Sequence, residues 1–146
     1  MSTAASLLPE LAYTDLASGQ RFSDTTLQVT AELVRLYGRA VHNDALIAAA
    51  DGPSGTPLPD PSLTILFGIA RRALRLDARL PPGGILAGQD FEVSRRLRLG
   101  EWIRTRPQVA AKYEKRGRRY VQLRCELEDE SGARVGCVDS FIIWAK

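Results

Sequence analysis

The segment 119–128, RYVQLRCELE, decides the fold class, because apolar and polar side chains alternate strictly along it. Its apolar members fall on one side of an extended chain: Val121, Leu123, Cys125 and Leu127. This period of two predicts a strand that packs one face on a core and leaves the other face in water.

Alternation of the same kind continues on both sides of this segment. It runs through residues 85–99, 102–111 and 135–144. Turn sequences separate the last three strands, with Lys115-Arg116-Gly117 before the quoted segment and Asp129-Glu130-Ser131-Gly132 after it. Such short turns predict that these strands are consecutive and antiparallel, and Gly100-Glu101 predicts a tighter bend.

A strand and two helices are expected in the first half of the chain. Residues 21–29 alternate and predict a strand, and Thr30 is the expected N-cap of a helix that runs to about His42. Residues 43–61 are irregular and rich in glycine and proline, which favours a functional loop. The segment 62–76, SLTILFGIARRALRL, predicts a buried central helix.

One buried helix followed by an antiparallel meander predicts the α+β class and the hotdog architecture, a curved antiparallel sheet wrapped around a central helix. The chain has 146 residues, enough for one domain over residues 1–146 with a core of its own. A sheet of this kind has an edge that must be covered. We therefore expect two such domains to pair, as a homodimer or a hotdog heterodimer.

Composition excludes several functional classes. No stretch approaches the roughly 20 apolar residues that a membrane span needs, and the net charge of +3 comes without a nucleic-acid-binding signature, so neither a membrane nor nucleic acid is an expected partner. Cys125 and Cys137 lie in alternating segments, and the chain has one histidine, so no zinc site is expected. Buried thiols indicate a reducing compartment, which favours the cytoplasm.

The sequence resembles the MaoC-like, (R)-specific enoyl-thioester hydratases and dehydratases over residues 13–144. The resemblance is carried by Gly19, Phe22 and Thr30 leading into AELVRLYGRAVHND, by the loop TPLPDPSL, and by ILAGQDFEVSRRLRLGEWI and GRRYVQLRCELEDESGARVG. It implies addition or removal of water across the double bond of an acyl thioester carried by CoA or by acyl carrier protein, without a cofactor. Such a reaction needs proton-handling groups and a donor that polarises the thioester carbonyl.

The catalytic pair of that family is an aspartate and a histidine, five positions apart just after the first helix. Aligned on Thr30, the aspartate falls on Asn43 or Asp44, and the histidine falls on an alanine. If His42 is matched to the histidine instead, Tyr37 takes the place of the aspartate. No alignment supplies both groups.

His42 is the only imidazole in the chain, so any histidine chemistry must use it. We expect His42 and Asp44 to form a rearranged pair at the end of the first helix, with Asn43 and Tyr37 as further candidates. The alternative is a histidine that interacts with the last carbonyls of its helix, beside an ordinary turn residue.

Candidate substrate contacts lie farther along the chain. The resemblance implies that backbone amides at Ser62 and Leu63 face the thioester carbonyl. Arg71, Arg72 and Arg96 are candidates for a CoA or phosphopantetheine phosphate, because guanidinium groups bind phosphate oxygens in pairs; the arginines beside Arg96 are equal candidates, and a solvated surface is the alternative.

Two further functions remain open from the sequence. The incomplete pair is also typical of a catalytically silent hotdog subunit that supports an active partner. Thioester hydrolysis or a cyclisation is the third possibility, since such reactions need only a shaped site and one acid.

Overall fold

The structure is a computed structural model that describes residues 8–59 and 78–145. The predicted central helix at 62–76 lies outside the described residues. The expectations for Ser62, Leu63, Arg71 and Arg72 fall there as well, and they stay predictions.

The described residues form a five-stranded antiparallel sheet. Its strands are β1 (Thr25–Gln28), β2 (Ile85–Val93), β3 (Trp102–Lys115), β4 (Arg118–Glu128) and β5 (Arg134–Ile143). Their order across the sheet is β1-β3-β4-β5-β2, so β1 and β2 are the two edges. The predicted meander of three consecutive antiparallel strands is confirmed by β3, β4 and β5.

Two tight turns hold the meander together. Arg116 and Gly117, with φ of 52° and 71°, join β3 to β4 in the left-handed conformation that suits the twist of paired strands. Between β4 and β5, the Asp129 carboxylate accepts hydrogen bonds from the backbone N–H groups of Ser131 and Ala133.

The helices of the described residues are a 3₁₀ turn at Tyr13–Asp15, α1 (Ala31–Ala40) and α2 (Asp44–Ala50). Thr30 caps α1 as predicted, since its hydroxyl accepts a hydrogen bond from the Leu33 N–H at 3.1 Å. The expectation of an irregular segment over 43–61 is wrong in its first part, because α2 occupies it. The Asn43 side chain caps α2 by accepting from the Leu46 N–H at 3.1 Å.

Two predicted strands are shorter than expected. The first strand covers Thr25–Gln28 rather than 21–29, and the block at 85–99 stops being a strand at Val93. Leu97 and Leu99 lie in the loop that follows β2, and their side chains are buried in the core. Their backbones bond to the segment 56–58, with the Leu58 N–H donating to the Leu97 carbonyl and the Leu99 N–H to that of Thr56. Because these two buried leucines are two residues apart, the sequence shows the same alternation as a strand although this segment is a loop.

The side chains that alternate toward the core define the inner face of the sheet. Helices α1 and α2 pack on that face through Val34, Leu46 and Ala50, against Ile103 and Leu127. A second cluster lies toward the other end, where Leu16 and Trp144 cover strands β3 and β4. The predicted inward set of β4 is confirmed, since every member is buried.

The outer face of the sheet is covered largely by ion pairs between neighbouring strands. The shortest contact in each pair is 3.3 Å for Arg104 with Glu128, 2.9 Å for Arg124 with Asp139, and 3.0 Å for Arg134 with Glu92. Exposed pairs of this kind contribute little to stability, but they show which charges are already neutralised within the chain.

Candidate functional site

The corner between α1 and α2 carries the predicted proton-handling residues. His42 is the turning point, with a left-handed φ of 53° that is uncommon for a residue with a side chain. Backbone bonds fix this conformation, because the Asn43 N–H donates to the Gly38 carbonyl at 2.8 Å and the His42 N–H donates to that of Arg39 at 3.3 Å. Glycine is the usual residue at such a helix end, so His42 occupies it at a cost.

Close packing of the two helices depends on Gly38. A Cβ atom at this position would lie 3.0 Å from Ile47 Cγ1 and 3.1 Å from Leu46 Cβ. Helix α2 can therefore approach α1 only where the side chain is absent, and this approach makes the corner sharp.

The side chains of His42 and Asp44 both lie exposed on this corner. Within residues 8–59 and 78–145, neither side chain has a hydrogen-bond or ion-pair partner, and the two do not bond to each other. Asn43, between them, is half-buried and uses its side-chain oxygen as the α2 cap. His42 and Asp44 therefore lie at the same corner, but no hydrogen bond connects their side chains within the described residues.

Tyr37 is half-buried on the core side of α1. It packs against the buried cluster that includes Val34 and Leu46. Its ring contributes to the packing between α1 and the inner face of the sheet.

An ion pair that the sequence did not predict connects this corner to the following loop. Arg35 Nη2 lies 2.8 Å from Asp51 Oδ1, which ties α1 to the residue that ends α2. Both side chains are substantially exposed, so the pair positions the loop more than it stabilises the fold.

Arg96 is exposed in the loop between β2 and β3, away from the helical corner in sequence. Its neighbour Arg95 is not free to bind phosphate. The Arg95 guanidinium donates to both Glu101 carboxylate oxygens, at 3.0 and 2.7 Å, and to Asp129 at 3.1 Å. The hydrogen bond to Glu101 above all raises the pKa of Arg95, so this group is a structural cation.

The Asp129 carboxylate, which holds the β4–β5 turn, is strongly stabilised in its ionised form. Hydrogen bonds from the Ser131 hydroxyl and from Arg95 lower the pKa of Asp129 from 3.8 to about 2. The ionised Asp129 carboxylate thus has a structural role, which is to stabilise the β4–β5 turn.

An open pocket of about 270 Å³ lies on the outer face of the sheet, and it includes none of the predicted site residues. It is lined by charges of both signs, among them Arg106, Arg134, Glu126 and Glu128. The sequence predictions did not include this charged face, although the alternating arginine and glutamate residues of β3 and β4 are a sequence signal for it.

The two cysteines are buried and unpaired, as the sequence predicts. Burial raises the pKa of Cys125 to about 12 and that of Cys137 to about 11, so both stay protonated thiols at neutral pH. Across the described residues, no group of three histidine, cysteine or acidic side chains is placed to hold a metal ion. No helix in this part of the chain is long and apolar enough to cross a membrane.

Neither a family model nor a curated protein sequence matches the chain. Its structure is similar to the MaoC-like dehydratase of Rhodospirillum rubrum, with a TM-score of 0.67, 20% identity, and coverage of 93% of this chain and 98% of that one. The (R)-hydratase PhaJ1 of Pseudomonas aeruginosa gives a TM-score of 0.65 at 21% identity, over 92% and 85% of the two chains.

A third similar structure is the HadBC (3R-hydroxyacyl-ACP dehydratase) complex of Mycobacterium tuberculosis. It has a TM-score of 0.65 and 21% identity, over 85% of this chain and 93% of that one. Structural similarity at these low identities shows the fold alone, and the predicted fold class is confirmed. The chain therefore has the hotdog fold, in the form found in MaoC-like dehydratases and (R)-hydratases.

Proposed function

We propose that the chain is a subunit of a hydratase or dehydratase that acts on enoyl and 3-hydroxyacyl thioesters, with His42 as the group that moves protons. The observation that carries the proposal is the placement of the only imidazole in the chain. It occupies a left-handed corner where glycine would fit better, with its ring exposed and unpaired within the described residues. A residue kept in an unfavourable conformation is typical of a site under functional constraint.

The chemistry needs one group that can take and return a proton. In hydration, the neutral His42 imidazole takes a proton from water as the water oxygen bonds to C3 of the enoyl thioester. The electron pair of the double bond shifts toward the carbonyl, and the protonated His42 imidazole then returns its proton to C2, so that the net change is the addition of one water and His42 is restored. Dehydration is the reverse. Asp44, two residues away, is proposed to orient the water.

Carbonyl polarisation is the second requirement. We assign it to the backbone amides of Ser62 and Leu63, as the resemblance implies. We assign phosphate contacts to Arg71, Arg72 and Arg96, because guanidinium groups bind phosphate oxygens in pairs. These assignments are part of the proposal. A helix start would suit the role, because its N–H groups point at developing negative charge.

Pairing of two domains is proposed to complete the site. Strand β2 forms one edge of the sheet and carries exposed apolar side chains, since Leu86 and Phe91 are 49% and 36% exposed. An open, apolar edge strand is a template for pairing with another strand.

The test measures hydration of a trans-2-enoyl-CoA by the purified full chain. The reaction is monitored through the loss of the enoyl absorbance. We expect turnover by the wild type, loss of at least about a hundredfold in His42→Asn, and a smaller loss in Asp44→Asn. Asparagine tolerates the left-handed conformation, so the fold is kept. Turnover that His42→Asn leaves unchanged would remove His42 from the mechanism, and release of free CoA with an unaltered acyl chain would identify a thioesterase instead.

A second candidate is a catalytically silent subunit that pairs with an active hotdog partner. It is favoured by the absence of any bond between His42 and Asp44 within the described residues, and one of the similar structures is the HadBC (3R-hydroxyacyl-ACP dehydratase) complex. Its test is addition of this chain to a purified hotdog subunit that carries a complete aspartate–histidine pair. Stimulated turnover by that subunit, with no turnover by this chain alone, would favour the silent role.

A further inference from the structure

The hairpin between β3 and β4 ends in a cluster of cations on the outer face of the sheet. Lys115 and Arg118 face each other across the hairpin, and Arg116 forms the turn with Gly117. Lys115, Arg116 and Arg118, here called the basic tip, are all exposed. Within the described part of the chain, no carboxylate forms an ion pair with any of the three.

The arginines farther along the same face differ from the basic tip because they form ion pairs with carboxylates of the chain. Arg104, Arg106, Arg124 and Arg134 each lie within 4 Å of at least one carboxylate of the chain. Charges on the central part of the outer face are thus neutralised internally. The basic tip keeps its positive charge available for a partner.

A row of apolar side chains begins directly beside the basic tip. Tyr113 and Tyr120 stack across the hairpin, with ring centroids 5.2 Å apart and planes within 3°. Ile143 is the neighbour of Tyr120 on β5, and Ile85 is the neighbour of Ile143 on β2. These four residues, the apolar row, cross four adjacent strands and extend over about 15 Å. Ile85 and Tyr113 are 56% and 38% exposed.

We propose that the basic tip and the apolar row together form a docking surface for an acidic protein. This inference deepens the proposed function and rests on it in one respect, since that function makes the acidic protein the carrier that holds the acyl thioester. An apolar centre bordered by charge is the usual composition of a protein interface. Three unpaired cations would add attraction and orient the encounter with a negatively charged partner.

The shape of this surface favours a protein over other anions. The basic tip lies at the end of a hairpin with its three side chains exposed, whereas a site for a small phosphate ligand usually encloses that ligand in a cleft. The two tyrosines stack on each other, so each has one ring face already covered, whereas readers of single-stranded nucleic acid stack bases on open aromatic faces. The surface also faces away from α1 and α2, so docking leaves the helical corner free.

The experiment measures binding of fluorescently labelled holo-acyl carrier protein to the full chain by anisotropy. We expect binding that weakens as salt rises from about 50 to about 300 mM, because exposed charges are screened. Arg118→Glu should weaken binding about tenfold, with Lys115→Glu similar, since each places a like charge against the partner. Tyr113→Ser should weaken binding through the apolar half of the surface.

The matched control is Arg21→Glu, which makes the same change in charge at an exposed residue beside the outer-face pocket, outside the tip and the row. It should leave the affinity within about twofold, and the charge-reversal variants at Lys115, Arg118 and Arg21 should unfold at the wild-type denaturant midpoint. No binding at low salt, or equal binding by Arg118→Glu and Arg21→Glu, would overturn the inference. It would also be overturned if Arg118→Glu lost binding to anionic phosphatidylserine vesicles or to a single-stranded oligonucleotide while carrier binding stayed intact.

The result is separable from the proposed function. Hydration of enoyl-CoA involves no carrier protein, so it reports on the catalytic corner alone. Carrier binding without CoA-thioester turnover would contradict the catalytic proposal, and CoA-thioester turnover without carrier binding would contradict the docking surface.

Discussion

His42 is the residue on which the functional account depends, and its backbone gives an independent test. A side chain at a left-handed φ costs about 1 kcal/mol or more, a cost that glycine avoids. His42→Gly should therefore raise the melting temperature by about 3 °C while removing turnover. His42→Ala, which lacks the imidazole but keeps the strain, should melt below His42→Gly. Equal melting temperatures for the two variants would show that the conformation carries no strain.

Asp129 gives a prediction for the dependence of stability on pH. Its pKa falls from 3.8 to about 2 on folding, so the ionised carboxylate favours the folded state. This contribution is complete above about pH 4 and is lost as the pH falls toward about 2. Urea midpoints measured over this range should fall less steeply for Asp129→Asn than for the wild type. Parallel curves would contradict the assignment.

At the scale of elements, the contact between α1 and α2 predicts an unusual effect of alanine. Replacing a glycine inside a helix by alanine normally stabilises by about 1 kcal/mol. Gly38→Ala should instead lower the urea midpoint, since the new methyl would press on Leu46 Cβ and the Ile47 backbone nitrogen at 3.1 and 3.2 Å. Those two atoms belong to the backbone of α2 or lie next to it and cannot rotate away. Ala48→Gly, on the exposed side of α2, is the control for ordinary helix propensity; a higher midpoint for Gly38→Ala would contradict the close contact.

Elements with a strong pattern were predictable from the sequence, and those that depend on their surroundings were not. Thr30 predicted the start of α1, and alternation with short turns predicted β3, β4 and β5. Helix α2 has seven residues, too few to show a clear period, and its stability comes from burying Leu46 and Ala50. Leu97 alternates like a strand residue, but backbone bonds to the segment 56–58 hold it in a loop.

The candidate site was predictable only as a position along the chain. The sequence placed both His42 and Asp44 at the end of α1; His42 lies in the corner that follows α1, whereas Asp44 is the first residue of α2. It gave no sign of the left-handed turn, because the glycine that normally marks one is absent. Whether a carboxylate reaches the imidazole depends on surfaces that pack against this corner, and periodicity within one chain carries no information about them.

At the scale of the whole molecule, the exposed edge strand β2 predicts self-association or association with a related domain. Leu86 is 49% exposed on this strand. Sedimentation of the wild type should give twice the chain mass of 16.0 kDa if it forms the homodimer. Leu86→Lys should shift the mass toward one chain, since a lysine on an edge strand opposes pairing. Leu36→Lys, on the exposed face of α1, is the control; a monomeric wild type that gains no partner on mixing with other hotdog subunits would contradict the pairing.

The central claim, that the His42 imidazole itself moves the proton, is tested most directly by chemical rescue of His42→Gly. Glycine keeps the corner folded and leaves space where the ring stood. The account predicts that His42→Gly hydrates trans-2-enoyl-CoA at a background rate and that added imidazole raises this rate in proportion to its concentration. A rate that imidazole does not change, or a wild-type rate in its absence, would contradict the account.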